Sequence, residues 1–327
     1  MEQNALLKFL NEEIPSSENE FLARIDRKKG KQVGVKITHI PNKSLRHVHE
    51  RILVLFDSYG VNRKKNFPHA FAWVAGTSEP VNQALLFHKR KDTGFFPQYW
   101  FVTDIKDAYE SVDIARLAVI LSLLMKAEVL PLELKPILEK FCQGSSGGLA
   151  RGFSTSPLLF NVYAGELIDQ MLFLAALQCG CKFCRLGDDI IITSTLPIGR
   201  RKRKRFLNII REAGFTISVK KTRYINLKVQ KTFKIFNVMV KNTILGATIL
   251  PSKTTERKMR GMLFAEKNRR IDLIDKEDLR NKINGWNGFC KIPGGMTRKR
   301  YTKIVEGYKN LREKIRQEKA FLKQGQW

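Results

Sequence analysis

Two short apolar runs in this chain meet acid where a buried strand would end. YWFVTDI (99–105) is long enough for one buried strand and carries Asp104 near its end. KFCRLGDDIIITS (182–194) reads as strand, two-residue turn, strand, with Asp188 and Asp189 between its apolar halves. A carboxylate beside a continuous apolar run loses hydration, which is costly unless a cation neutralises it. Adjacent strand residues face opposite ways, whereas a tight turn lets both reach one side. A fold that brings Asp104 to the hairpin therefore builds a three-carboxylate site. Hard oxygen ligands of this kind suit Mg²⁺, with Mn²⁺ as an alternative. Two such ions can activate a 3′-hydroxyl and stabilise a leaving pyrophosphate. The bland alternative is a solvated Asp-Asp turn with Asp104 as a helix N-cap.

Charge narrows the partner. Lysine and arginine number 59 against 31 acids, a net +28. Such a surplus repels itself and calls for a polyanion, nucleic acid first and an anionic membrane second. With 43% hydrophobic residues the chain can bury a sizeable core, which excludes wholesale disorder. No stretch reaches the roughly 18 uncharged apolar residues of a membrane span, and MEQNALLKFLNEE is acidic, unlike a signal n-region. The five cysteines (142, 179, 181, 184 and 290) are odd in number and lack framework spacing. They point to a reducing compartment and a cytoplasmic location.

Periodicity predicts helix over 1–30, with SSENEFLARIDRK opening a second capped helix, then a strand over 33–41 that stops at Pro41. Helices are expected over 44–60 and from the YWFVTDI strand to about Lys140, then a Gly/Ser loop at 143–157 leading into PLLFNVYAGELIDQMLFLAAL. A basic helix over 201–214, short strands at TISV, TFKIFNVMV and ATIL, and charged helix over 253–327 complete the chain. Strands and helices do not alternate regularly, so the class is α+β rather than a doubly wound parallel sheet.

Four stretches taken in order resemble the reverse transcriptases. FVTDIKDAYESVDI looks like their first catalytic motif, GGLARGFSTSPLLFNVYAGELID like the second, RLGDD like the hairpin, and REAGFTISVKKT like the motif after it; VMVKNTILGATI stands where a grip hairpin is expected. The resemblance covers roughly 95–250 and implies a right-hand polymerase. Residues 1–98 would form fingers and N-terminal helices, with part of the fingers returning near 115–150. Residues 99–250 would form a palm with an antiparallel sheet, and 251–327 a short basic helical thumb. It further implies that Asp104 and Asp188 hold two Mg²⁺ ions, with Asp189 assisting and Ile105 in the metal set. Ile105, Lys106, Asp107 and Ala108 would cradle the triphosphate through their amides. Tyr109 would gate the sugar against a 2′-hydroxyl. Gly152, Ser154 and Pro157 would shape the nucleotide and template floor, and Lys221 would approach the leaving pyrophosphate.

There are departures. The family's glutamine before the loop glycine is Arg151 here, and the hairpin tyrosine and its partner are Leu186 and Gly187. No metal ligand is lost, so activity is expected, with primer-end contact altered. Compactness and FCRLGDD resemble retron and other defence-associated bacterial enzymes, which implies a dedicated non-coding RNA as template or scaffold, an RNA/DNA hybrid, dNTP substrates, and a partner protein or homo-oligomer. The retron V-T-G triplet is missing; IFNVMV stands near its place.

Several residues carry two readings. The six cations Arg200–Arg205, including Arg201, Lys202 and Arg203, can grip RNA phosphates or form a solvated helix start. Arg298, Lys299 and Arg300 open a basic amphipathic helix that fits an A-form minor groove or a partner helix. Trp286 reads as thumb core or as a stacking platform. Lys43 and Arg46 face either a triphosphate or solvent. Cys179, Cys181 and Cys184 crowd one segment, but zinc would need Cys142 or His88 from afar, and His88 reads as packed. Three other functions compete with RNA-templated DNA synthesis: RNA synthesis on the same fold, terminal transfer without a template, and a catalytically silent RNA-binding scaffold.

Overall fold

The computed structural model describes residues 21–26, 36–75, 77, 80–236, 238–244 and 246–251, with isolated residues beyond Pro251. The helix expected before residue 21, and Trp286, Arg298, Lys299 and Arg300 of the expected thumb, lie outside the described residues. In chain order the elements are β1 (Phe21–Asp26), β2 (Lys36–Pro41), α1 (Lys43–Ser58), α2 (Pro80–His88), β3 (Tyr99–Asp104), α3 (Ile114–Leu124), α4 (Pro131–Phe141) and α5 (Ser156–Ala164). They continue with α6 (Gln170–Gln178), β4 (Lys182–Leu186), β5 (Asp189–Ser194), α7 (Arg200–Glu212), β6 (Arg223–Asn226), β7 (Thr232–Ile235), β8 (Val238–Thr243) and β9 (Gly246–Pro251). The class is α+β.

The chain divides into two compact units. The first comprises Met1–Pro80, Phe101–Ile192 and Ile198–Arg223. Here β1 and β2 form an antiparallel ladder, Phe21 opposite Pro41 and Asp26 opposite Lys36. FLARID is thus strand, not helix: main-chain pairing with a distant segment overrides the local spacing of Phe21, Leu22 and Ile25. Asn42 caps α1 by accepting the Leu45 N–H at 2.8 Å, and Leu45, Val48, His49, Ile52 and Phe56 form its buried stripe. His49 Nε2 lies 2.7 Å from the Phe141 carbonyl of α4. The helix expected to run to Lys140 is broken in two. Lys126 and Ala127 take left-handed φ of 58° and 56°, and Pro131 with the Glu133 side chain starts α4 afresh.

In the main sheet of this unit β5 lies between β4 and β3. β3 is buried along its whole length. Phe206 and Ile210 are the buried residues of α7, and Phe206 lies 6.3 Å from Phe101 of β3. TISV does not form a strand. Ile217 makes one bridge to Ile105, after which the Ser218 carbonyl accepts the Lys221 and Thr222 N–H groups and turns the chain. A helical run of 23 residues, Ser156–Gln178, is long and apolar enough to cross a membrane by length and composition alone. It contains Glu166 and Asp169, and 61% of its apolar window is buried inside the protein, as suits a core helix.

The second unit comprises Val81–Trp100, Thr193–Pro197 and Tyr224–Trp327. TFKIFNVMV is two strands rather than one, because Phe236 turns the chain at φ 52°; β7, β8 and β9 then form an antiparallel meander. Trp100 is fully buried against Phe233, and His88 Nδ1 lies 2.8 Å from Thr193 Oγ1. His88 is packed.

Candidate active site

β3 delivers Asp104 to the end of a buried strand, and the β4–β5 turn delivers Asp188 and Asp189. Main-chain bonds hold the two segments together, with the Ile105 N–H donating to the Asp188 carbonyl at 3.0 Å. One carboxylate oxygen from each of the three aspartates lies within 4.8 Å of the others. Together they can hold a metal ion. Like charges this close repel by about 3 kcal/mol per pair at an effective dielectric near 20. Burial, then the neighbouring Asp188 charge, accordingly raises the Asp104 carboxyl against the Lys221 bond that lowers it. Asp189 is pushed up to about 7 by burial and by the charges of Asp188 and Asp104. Lys221 donates to Asp104 Oδ1 at 2.7 Å while its side chain stays 63% exposed. Its ammonium is raised: burial lowers it, but the Asp104 bond and the aspartate charges prevail.

Asp104, Asp188 and Lys221 line a cleft of about 360 Å³ together with Ile105–Tyr109, Arg151, Phe160 and Ser218. Tyr109 stands edge-on to Phe160, with ring centres 5.8 Å apart, and its phenol is pushed up to about 12 by burial and the Asp188 charge. The Gly/Ser loop braces this wall: the Leu149 N–H donates to the Tyr109 carbonyl at 2.8 Å, and the Arg151 carbonyl accepts the His39 N–H at 2.8 Å. Gly152 takes φ 100°, and a Cβ there would run into the His39 carbonyl oxygen. Arg151 is paired with Glu110 at 3.3 Å.

Several candidates fall elsewhere. The amides of Ile105 and Lys106 already donate to the Asp188 and Thr216 carbonyls, so they are not open to a triphosphate. Lys43 and Arg46 are exposed at the start of α1 and do not line the cleft; Arg46 Nε donates to the Pro41 carbonyl at 3.0 Å. Ser154 is exposed and Pro157 half-buried, both outside the cleft lining. In α7, Lys202 donates to the Cys179 carbonyl at 2.9 Å, past the end of α6, while Arg200 and Arg201 are exposed and Arg203 half-buried. Cys142 and Cys184 are buried, and burial pushes the Cys142 thiol up to about 12. Among the described residues the cysteines join no group able to hold a metal.

Sequence reasoning missed the support beneath the hairpin. Arg185 is fully buried and makes two 2.8 Å bonds to Asp169, one of 2.9 Å to Asn161 Oδ1 and one of 2.9 Å to the Gly187 carbonyl. Asn161 in turn donates to the Ala72 carbonyl at 2.6 Å. An arginine in one apolar run and an aspartate in another were the available signal, since buried charges of opposite sign must find each other.

No family model matches the sequence, and no curated protein matches it. Solved structures of similar shape include apo telomerase from Candida tropicalis truncated from its C-terminal domain (13% identity, TM-score 0.47, 69% of this chain and 54% of that one). Telomerase from Candida albicans in complex with a TWJ fragment of telomeric RNA is another (12%, TM-score 0.49, 91% and 61%). The chain spans between half and two thirds of the length of these telomerase structures. At such identity and TM-score the likeness carries no function with it.

Proposed function

We propose that the protein is an RNA-templated DNA polymerase that adds dNTPs at the Asp104–Asp188–Asp189 cluster. The observation that carries this reading is the cluster itself: three carboxylates from segments 84 residues apart in sequence share one site, and two of them, Asp104 and Asp188, line a cleft that also holds Tyr109. The donor set is all oxygen, one carboxyl is buried, and two are raised by burial and by mutual repulsion, so the residues fit Mg²⁺ or Mn²⁺. Divalent ions bound there supply activation of a 3′-hydroxyl and neutralisation of the leaving pyrophosphate. The chain's own residues do the rest. Lys221 steadies Asp104 and presents an ammonium to the cleft. Tyr109, held by Phe160 and the loop carbonyl bond, walls the sugar side and excludes a 2′-hydroxyl. Arg151, oriented by Glu110, adds a cation to the nucleotide pocket.

We read the main sheet as the palm, and the exposed cations Arg200 and Arg201 as a phosphate-gripping surface away from the chemistry. The proposed setting, supported by the motif order and the FCRLGDD run alone, is the copying of a dedicated non-coding RNA in bacterial antiviral defence. Primer extension on an RNA template with Mg²⁺ tests the activity. DNA product from dNTPs is expected, lost on Asp188→Ala with Asp189→Ala while hybrid binding persists. Product from rNTPs in preference to dNTPs would sink the gate assignment, and synthesis surviving the double substitution would leave only a cationic RNA holder.

A further inference from the structure

Trp73 is unusual on three counts. The residue is 51% exposed, whereas Trp100 is fully buried. Its φ is 52°, a left-handed conformation that a bulky side chain rarely adopts and that persists only where the surroundings impose it. Its ring also lies directly on the metal hairpin. A Cβ built on Gly187, itself at φ 66°, would stand 2.7 Å from the indole, so the turn is bare where the ring rests.

The backbone under this tryptophan is held by the buried support of the hairpin. Asn161 Nδ2 donates to the Ala72 carbonyl at 2.6 Å and reaches the Trp73 carbonyl at 3.4 Å. Asn161 Oδ1 accepts from Arg185, which also donates to the Gly187 carbonyl at 2.9 Å. One polar network thus fixes the indole and the turn to each other, one residue before Asp188. A core aromatic does not need that arrangement. An indole with one side on a glycine turn and much of its surface in water is a surface on which a flat ring can stack, and nucleobases stack on aromatic side chains whatever their sequence. The hairpin itself offers Leu186 and Gly187, neither aromatic.

We infer that Trp73 is a stacking platform for a nucleobase brought to the aspartate cluster, and so a positioning residue for strand extension. This rests on the polymerase reading above. The stacked base belongs to the growing 3′ end or to the template opposite it, and the same chemistry serves both.

The test uses two RNA/DNA hybrids, one with 2-aminopurine at the primer 3′ terminus and one with it at the templating position. The wild type is expected to quench one probe strongly. Trp73→Ala loses that quench and binds hybrid roughly ten- to a hundredfold more weakly, the range measured for single base–aromatic stacks. Trp73→Phe recovers most of both. Mn²⁺ affinity of Trp73→Ala stays within about twofold of the wild type if the ring contacts nucleic acid rather than propping the turn, as is usual for exposed substitutions. Unchanged hybrid affinity and quench in Trp73→Ala overturn the platform, as does a parallel loss of Mn²⁺ binding. Primer extension by the wild type separates the two readings. A wild type that binds through Trp73 yet adds no nucleotide sinks the polymerase and leaves the platform; one that extends and binds equally well without Trp73 overturns the platform alone.

Discussion

Asp189→Asn is expected to make the cation-free protein more stable while abolishing synthesis. The ordinary aspartate value is 3.8, and in the fold burial and the charges of Asp188 and Asp104 push Asp189 up to about 7. A folded value above the unfolded one means that folding prefers the protonated acid. The associated stability is fully present below 3.8 and is lost as pH rises towards about 7. At about 1.4 kcal/mol for each tenfold change in proton affinity, the gap amounts to about 4 kcal/mol above pH 7. Asp189 retains some solvent contact, so an effect on the order of 2 kcal/mol is the working figure. The neutral, nearly isosteric amide escapes this penalty. Thermal unfolding in EDTA should therefore show Asp189→Asn melting several degrees above the wild type at pH 8. The gain shrinks to less than half at pH 5. Added Mn²⁺ should raise the wild type more than the variant, since binding to the native state alone stabilises it. A gain independent of pH, or a variant no more stable than the wild type at pH 8, would refute the crowding of these carboxylates.

The other substitutions probe different links. Tyr109→Ala opens the sugar wall, and rNTP incorporation relative to dNTP, measured in single-nucleotide extension, should rise at least tenfold with dNTP turnover largely kept. Arg185→Ala leaves Asp169 buried without its partner and should cost about 3–5 kcal/mol in urea unfolding. Pairing it with Asp169→Leu should recover much of that stability, but not Mn²⁺ affinity, because the Gly187 carbonyl still lacks its donor. Gly152→Ala sets a Cβ against the His39 carbonyl at φ 100° and should cost roughly 2 kcal/mol or more, with the nucleotide KM rising as the loop shifts.

The acid cluster was legible because burial forces the issue: carboxylates at the ends of apolar runs need a shared cation, and the two-residue turn of RLGDD fixes how Asp188 and Asp189 are presented. The β8–β9 hairpin and the α7 helix were legible for the simpler reason that each is a local pattern. Non-local facts were not. FLARID has helical spacing and becomes a strand only because Lys36–Pro41 pairs with it. The amides of Ile105 and Lys106 look available in sequence, yet their partners come from the hairpin and from Thr216. Trp73 sits in AFAWVAG like any core aromatic, and nothing in that string says that its ring meets Gly187.

Local charge explains why a chain with so many cations keeps this site acidic. In the cleft Lys106 pairs with Asp107 at 3.8 Å and Arg151 with Glu110 at 3.3 Å, so both cations are matched before the aspartate cluster is reached. Three aspartates then face one bonded ammonium, Lys221, with Arg223 acting on Asp189 only through space. The cluster is left about two charges short of neutrality. It can settle that shortfall by holding a proton, as burial and the neighbouring charges favour on Asp189, or by holding a divalent cation. A further fixed lysine or arginine would remove the need for either. The acidity of the cluster therefore depends on the basic surplus being kept on surfaces such as the start of α7, where Arg200 and Arg201 are exposed and do not line the cleft.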